Sequence, residues 1–174
     1  FHSTLFEEFL RNDVRQLIEQ SCEPVISRSM LYSLSGGGKR IRPLLCIAAS
    51  GVDLSSGGKI REENRRVLFA ASALEAIHTY SLIHDDLPAM DNDDMRRGRP
   101  SCHRAFSEWE AILAGDALNT FAFELIARAI PPEGDAGLAI SLVTNLSRSA
   151  GLQGMVSGQA LDLAYEKGDT RTPS

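Results

Sequence analysis

Residues 62–91 read EENRRVLFAASALEAIHTYSLIHDDLPAMD, and the fold depends on how this stretch divides. Val67, Leu68, Ala71, Leu74, Ala76 and Ile77 are apolar, and small Ala and Ser residues between them let neighbours come close. A helix apolar on most sides belongs in a core, so a long, central, buried helix is expected from Glu62. It runs into an acidic stretch, DDLPAMD, in which Asp85, Asp86 and Asp91 place three carboxylates within residues 85–91. Like charges this close repel, so something must neutralise them. Asp oxygens suit Mg²⁺, which keeps several waters and shares its ligands with phosphates. Pro88 fits poorly inside a helix and pushes the residue before it out of the α region. The helix should therefore loosen near Leu87, and a loop must bring Asp91 back.

The composition agrees with a helical core. The 174 residues suffice for one domain, 43% are apolar, and Gly (14) and Pro (7) are too few to indicate disorder. Few segments alternate with period 2, so an all-α chain forming a single domain over residues 1–174 is the expectation. A net charge of −5 disfavours nucleic acid as a general partner. The charge is uneven: residues 85–94 hold five Asp and residues 96–104 hold four Arg. That pairing suits a metal–diphosphate ligand better than a polyanion. Cys22, Cys46 and Cys102 show no CxxC or Cys/His spacing, which reads as reduced thiols in a cytoplasmic protein. No apolar run approaches the roughly 18 residues of a membrane span.

Upstream, residues 3–22 show helical spacing at Leu5, Phe6, Phe9, Leu10, Val14, Leu17 and Ile18. Pro24 fits the start of a second helix reaching about Leu34. Residues 35–43, SGGGKRIRP, then bring three glycines against Lys39, Arg40 and Arg42. Glycine lets backbone approach a ligand closely. A P-loop is excluded: no Ser/Thr follows the Lys, the first glycine is misplaced, and no buried strand precedes it. A glycine turn carrying cations to a helix N-terminus makes a diphosphate site. A solvated basic loop is the plainer reading, and these nine residues alone leave both open. Residues 44–52 continue as helix, and 53–61 read as an exposed loop.

Chemistry gathers at the end of the central helix. His78, Ser81 and Asp85 share a face at 3.6 residues per turn. A lone buried histidine is usually a satisfied core residue; this one shares its face with a carboxylate, so both roles stay open. An EF-hand at DNDD, 91–94, is rejected because Arg96 and Cys102 replace its glycine and glutamate. Residues 95–106, MRRGRPSCHRAF, read as a basic loop in which Arg96 and Arg97 can grip diphosphate oxygens bidentately. Further helices follow at about 107–129, with Asp116 and Asn119 as polar exceptions capping or bonding in the core, at 135–150, and at 151–166, where Gln159 and Asp162 lie close to one face.

Taken together, GGKRIRP, HTYSLIHDDLPAMDNDDMRRGRPSCH, ILAGDAL and GQALDL resemble the trans-isoprenyl diphosphate synthases, most closely the bacterial farnesyl diphosphate synthase branch, over about residues 30–165. The resemblance implies an antiparallel helix bundle around a central cavity, the isoprenoid synthase fold, usually as a homodimer. It implies Mg²⁺ at Asp85 and Asp91 with Asp86 close by. It places isopentenyl diphosphate on Lys39, Arg42, His78 and Arg97, and the allylic diphosphate on Arg96 with Gln159 and Asp162 lining or supporting its site. Tyr80, five positions before Asp85 and so about 7.5 Å down the helix, would be the floor under the growing tail, with Ser81 beside it. Farnesyl diphosphate is the expected product and geranylgeranyl diphosphate the alternative. A second aspartate-rich motif and a lysine-containing motif, expected beyond GQxxDL, do not occur before Ser174. The 174 residues therefore read as roughly the first half of a synthase, with little turnover expected alone. A non-catalytic synthase-like subunit is the competing class. A terpene cyclase is disfavoured, because GGKRIRP and His78 imply a second diphosphate substrate.

Overall fold

The computed structural model describes residues 2–52, 54, 60–130, 133–166 and 168. Most of the loop read at 53–61 therefore lies outside the described residues. The chain divides into two compact units, residues 1–132 and 133–174.

In the first unit, α1 (His2–Phe9) passes through a π-helical turn at Leu10–Val14 into α2 (Arg15–Ser21). Phe6, Phe9, Val14 and Ile18 are buried along this path, as the helical spacing predicts. The extra residue in the π turn is a departure from the single regular helix expected. α3 (Pro24–Leu34) opens on Pro24, whose missing N–H is harmless in a first turn. α4 spans Ile41–Ala49. α5 (Glu62–Asp85) is the long central helix: Leu68, Ala71, Ser72, Ala73, Glu75 and Ala76 are all buried. Its burial is nearly all-round, which is why its apolar residues mark no single stripe.

α7 (Glu108–Ala129) packs along α5. Ala111, Ala114, Gly115, Leu118, Ala122 and Leu125 form its buried side, and small residues there let the two helix axes approach. Ser107 caps it, with its Oγ accepting from the Glu110 amide at 3.3 Å and donating to the Glu110 carboxylate at 2.6 Å. Fully burying a residue such as Leu68 or Leu118 stabilises by about 1.5–3 kcal/mol.

The region read as a basic loop is more ordered than expected. β1 (Met95–Arg96) pairs antiparallel with β2 (Arg99–Pro100), and α6 (Cys102–Ala105) follows. Arg97 (φ 54°) and Gly98 (φ 76°) form the two-residue turn, and positive φ at both central positions is the I′ pattern that matches strand twist. This hairpin is the only β structure among the described residues.

The second unit holds α8 (Ala136–Ala150) and α9 (Met155–Glu166). Asp135 caps α8, accepting from the amides of Gly137 at 2.8 Å and Leu138 at 3.2 Å.

Candidate diphosphate and metal site

Two charged corners meet on the first unit. The basic one begins where α3 ends. Gly37 and Gly38 take φ of 75° and 135°, and Arg40 sits in the left-handed region at 48°, so the chain reverses sharply before α4. The Arg40 side chain turns inward and is 1% exposed. It donates to the Glu7 carboxylate at 2.7 Å, to the Leu34 carbonyl at 2.8 Å, and to the buried Glu75. Burial alone would lower its pKa, but the hydrogen bonds to Glu7 and the charge of Glu75 more than offset that and raise it. Lys39 and Arg42, on either side, remain exposed and make no ion pair among the described residues. So only the middle cation of KRIR is structural.

Arg97 reaches this corner from the hairpin turn. Its guanidinium donates to the Gly37 carbonyl and lies 3.5 Å from His78 Nε2. A Cβ on Gly38 would stand 2.7 Å from Arg97 Nη1, so glycine is required for that approach as well as for the φ. His78 is half-buried on α5, and burial followed by the charge of Arg42 holds its imidazole below the usual pKa, with Glu75 opposing. A neutral ring beside Arg42 and Arg97 can share an anion with them. Arg42, His78 and Arg97 thus belong to one corner, and Lys39 adjoins it only through the chain, next to Arg40.

The acidic corner starts at the end of α5. Beyond Asp85 the chain turns through Pro88, and the Asp91 amide returns to donate to the Asp85 carbonyl at 2.9 Å. That backbone bond is how the Pro-containing loop brings Asp91 back, as expected. Asp86 is 2% exposed and is gripped by Arg96, whose Nε donates to its two oxygens at 3.0 and 3.3 Å and whose Nη2 donates as well. Asp93 adds a weaker contact to Arg96 at 3.4 Å, and Asp94 pairs with Arg104. Asp85 and Asp91 make no ion pair or side-chain hydrogen bond among the described residues. Burial and then the charge of Asp91 push the Asp85 carboxyl above its usual pKa, with Asp86 adding to the effect. Among the described residues no three acidic, His or Cys side chains converge as a closed metal cage. An open pair of uncompensated carboxylates is the kind of donor set that leaves room for waters and phosphate oxygens.

A depression between the corners is lined by Tyr32, Gly36, Thr79, Asp86, Arg96 and Arg97. The hairpin that walls it is pinned to α3: Tyr32 Oη donates to the Pro100 carbonyl at 2.8 Å, and the Arg99 guanidinium lies 4.0 Å over the Tyr32 ring. The Tyr32 and Arg99 anchors were not anticipated from the sequence. An aromatic one turn before the glycines was the available signal.

Of the remaining predicted positions, Tyr80 is buried on α5, its phenol raised by burial and by Asp85, and Ser81 Oγ donates to the His78 carbonyl at 3.0 Å. Gln159 and Asp162 sit three apart on α9, in the second unit, the first half-buried and the second exposed. Asp116 is no core residue: its side chain is 62% exposed and lies 3.9 Å from His84 Nε2. Its place on the outer side of α7, between the buried Gly115 and Leu118, is the reason.

Against known proteins, the fold is that of the isoprenoid synthases. A geranyltransferase structure from Legionella pneumophila superposes with a TM-score of 0.82 at 40% identity, over 99% of this chain and 57% of that one. The polyprenyl synthetase family model matches residues 23–173, so the chain belongs to the polyprenyl synthetase family. A farnesyl diphosphate synthase of Geobacillus stearothermophilus is 46% identical over 97% of this chain and 57% of its own length. A geranylgeranyl diphosphate synthase of Cyanophora paradoxa is 44% identical over 94% of this chain and 52% of its own. The chain thus spans little more than half the length of these relatives.

Proposed function

We propose that this chain carries the two diphosphate corners of a trans-prenyltransferase, which joins isopentenyl diphosphate to dimethylallyl or geranyl diphosphate and yields farnesyl diphosphate. The observation that carries the reading is the arrangement of unpaired charge: Asp85 and Asp91 open on one side, Lys39, Arg42 and Arg97 with a neutral His78 on the other. Asp85 and Asp91 would hold Mg²⁺, with Asp86 placing Arg96 beside them. When bound, Mg²⁺ supplies positive charge to the departing diphosphate. Arg96 faces the allylic diphosphate and stabilises the oxygens as negative charge builds on them. Lys39, Arg42, His78 and Arg97 hold isopentenyl diphosphate so that its alkene faces the allylic carbon.

The bond between the allylic carbon and oxygen breaks, and its electron pair leaves with the diphosphate. The alkene pair forms the new carbon–carbon bond and leaves a cation on the isopentenyl fragment. A proton lost from the adjacent carbon to the released diphosphate restores a double bond. Gln159 and Asp162 would support the allylic side. Tyr80, with Ser81 next to it, would close the end of the tail cavity. A cytoplasmic homodimer is part of the same reading. The free thiols of Cys22, Cys46 and Cys102 are in keeping with a reducing compartment.

The test is incubation of the intact protein with Mg²⁺, radiolabelled isopentenyl diphosphate and geranyl diphosphate, with the chains resolved by length. Farnesyl product is expected from these residues within a chain of the relatives' length, and little turnover from residues 1–174 alone. A predominantly geranylgeranyl product would favour the alternative suggested by the Cyanophora relative, and no prenyl product from the folded longer chain would favour a non-catalytic subunit.

A further inference from the structure

We propose that His84, seated against α7 at Gly115, is a positioning residue for Tyr80 and so a determinant of product length. The inference rests on the reading of Tyr80 as the floor of the tail cavity and names what holds that floor in place. Tyr80 and His84 are four apart on α5 and share a face. Their ring centroids are 5.6 Å apart with planes at 82°, an edge-to-face pair. On its other side the His84 Nε2 lies 3.1 Å from the Ile112 carbonyl of α7. With the proton on Nε2, the ring donates to that carbonyl.

Gly115 explains how the ring fits. A Cβ there would stand 2.1 Å from His84 Nε2 and 2.5 Å from its Cδ2, inside the ring's own volume. The imidazole thus occupies the space that any other residue at 115 would take. It is held by a carbonyl, by packing against helix backbone, and by the Tyr80 ring. His84 adjoins Tyr80 on the Asp85 side, and its edge contact limits the positions open to the Tyr80 ring. Without His84, Tyr80 could leave its place by rotating about its own side chain.

The experiment compares the ratio of geranylgeranyl to farnesyl product from the intact protein with those of Tyr80→Ala, His84→Ala, Gly115→Ala and the Tyr80→Ala/His84→Ala double variant. Tyr80→Ala should lengthen the product most. His84→Ala and Gly115→Ala should each raise the ratio by about fivefold, the population shift that one lost aromatic edge contact permits. His84→Ala should add little once Tyr80 is gone, because the two act through the same ring. A merely structural His84 would lower total turnover and leave the ratio alone. If Tyr80→Ala lengthens the product while both His84→Ala and Gly115→Ala leave the ratio unchanged, the bracing role falls and the floor reading stands. If Tyr80→Ala changes nothing, both fall. Should His84→Ala abolish turnover, phenol ionisation in a Tyr32→Phe/Tyr165→Phe background decides: Tyr80 should titrate closer to an exposed tyrosine in His84→Ala, and an unshifted titration overturns the proposal.

Discussion

In the glycine corner Arg40 turns inward onto Glu7 and Glu75, while Lys39 and Arg42 beside it have no ion-pair partner among the described residues. In the aspartate turn Asp86 is buried under Arg96, while Asp85 and Asp91 have none. Each run of like charge thus commits one member to the fold and leaves its neighbours without an ion-pair partner among the described residues. The two differ in how deep the commitment goes. Arg40 and Glu75 are 1% and 2% exposed, whereas the Arg96 side chain is 35% exposed. Removing the anchor should therefore damage the fold in the first corner and mainly the chemistry in the second.

The largest effect is expected from Arg40→Met, which leaves the Glu75 carboxylate buried with no cation. A cost of about 3–5 kcal/mol in urea-induced unfolding is predicted for breaking such a pair from one side. Arg40→Met/Glu75→Met should recover most of it, because a well-packed apolar pair tolerates the same site. A double variant as unstable as the single would mean that the corner depends on the charges themselves.

Arg96→Ala sharpens the contrast. Asp86 loses its partner, but water can reach the vacated space, so a smaller loss of about 1–3 kcal/mol is predicted. If Arg96→Ala proves as costly to stability as Arg40→Met, the contrast between the corners fails.

Asp85→Asn should act in the opposite direction and by less. The folded-state pKa of Asp85 is raised, so its protonated form favours folding. That contribution is full below the unfolded-state pKa and is lost as pH rises through the folded-state value. At neutral pH the carboxylate therefore opposes folding, and Asp85→Asn should raise the Tm of the metal-free chain slightly while removing any rise in Tm on adding Mg²⁺. A lower Tm for the variant in the absence of metal would contradict the reading of Asp85 as an uncompensated charge held for function.

Much of this was legible in the residues. Pro24, Pro88 and the apolar spacing mark α3, the end of α5 and the buried faces, because backbone restriction and burial act locally. The hairpin was not legible: its strands are two residues long, and Arg97-Gly98 is not among the strongest turn pairs. What holds it is Tyr32, far away in the chain, on the Pro100 carbonyl. The division of labour inside KRIR and DD was hidden for the same reason. Arg40 and Arg42 differ only in which one finds Glu7 and Glu75 across the fold, and Asp85 and Asp86 only in which one meets Arg96. Gly115 in ILAGDAL likewise gave no local sign that its missing side chain makes room for His84.

The central claim is that Asp85 and Asp91 present a metal to diphosphate held by the opposing cations. Calorimetric titration of inorganic diphosphate into the intact protein, in Mg²⁺ and then in chelator, tests it most directly. Binding should depend strongly on Mg²⁺, and Asp91→Asn should erase that dependence while residual binding to the basic corner persists. Equal affinity with and without Mg²⁺, or an Asp91→Asn variant that keeps the full metal dependence, would contradict it.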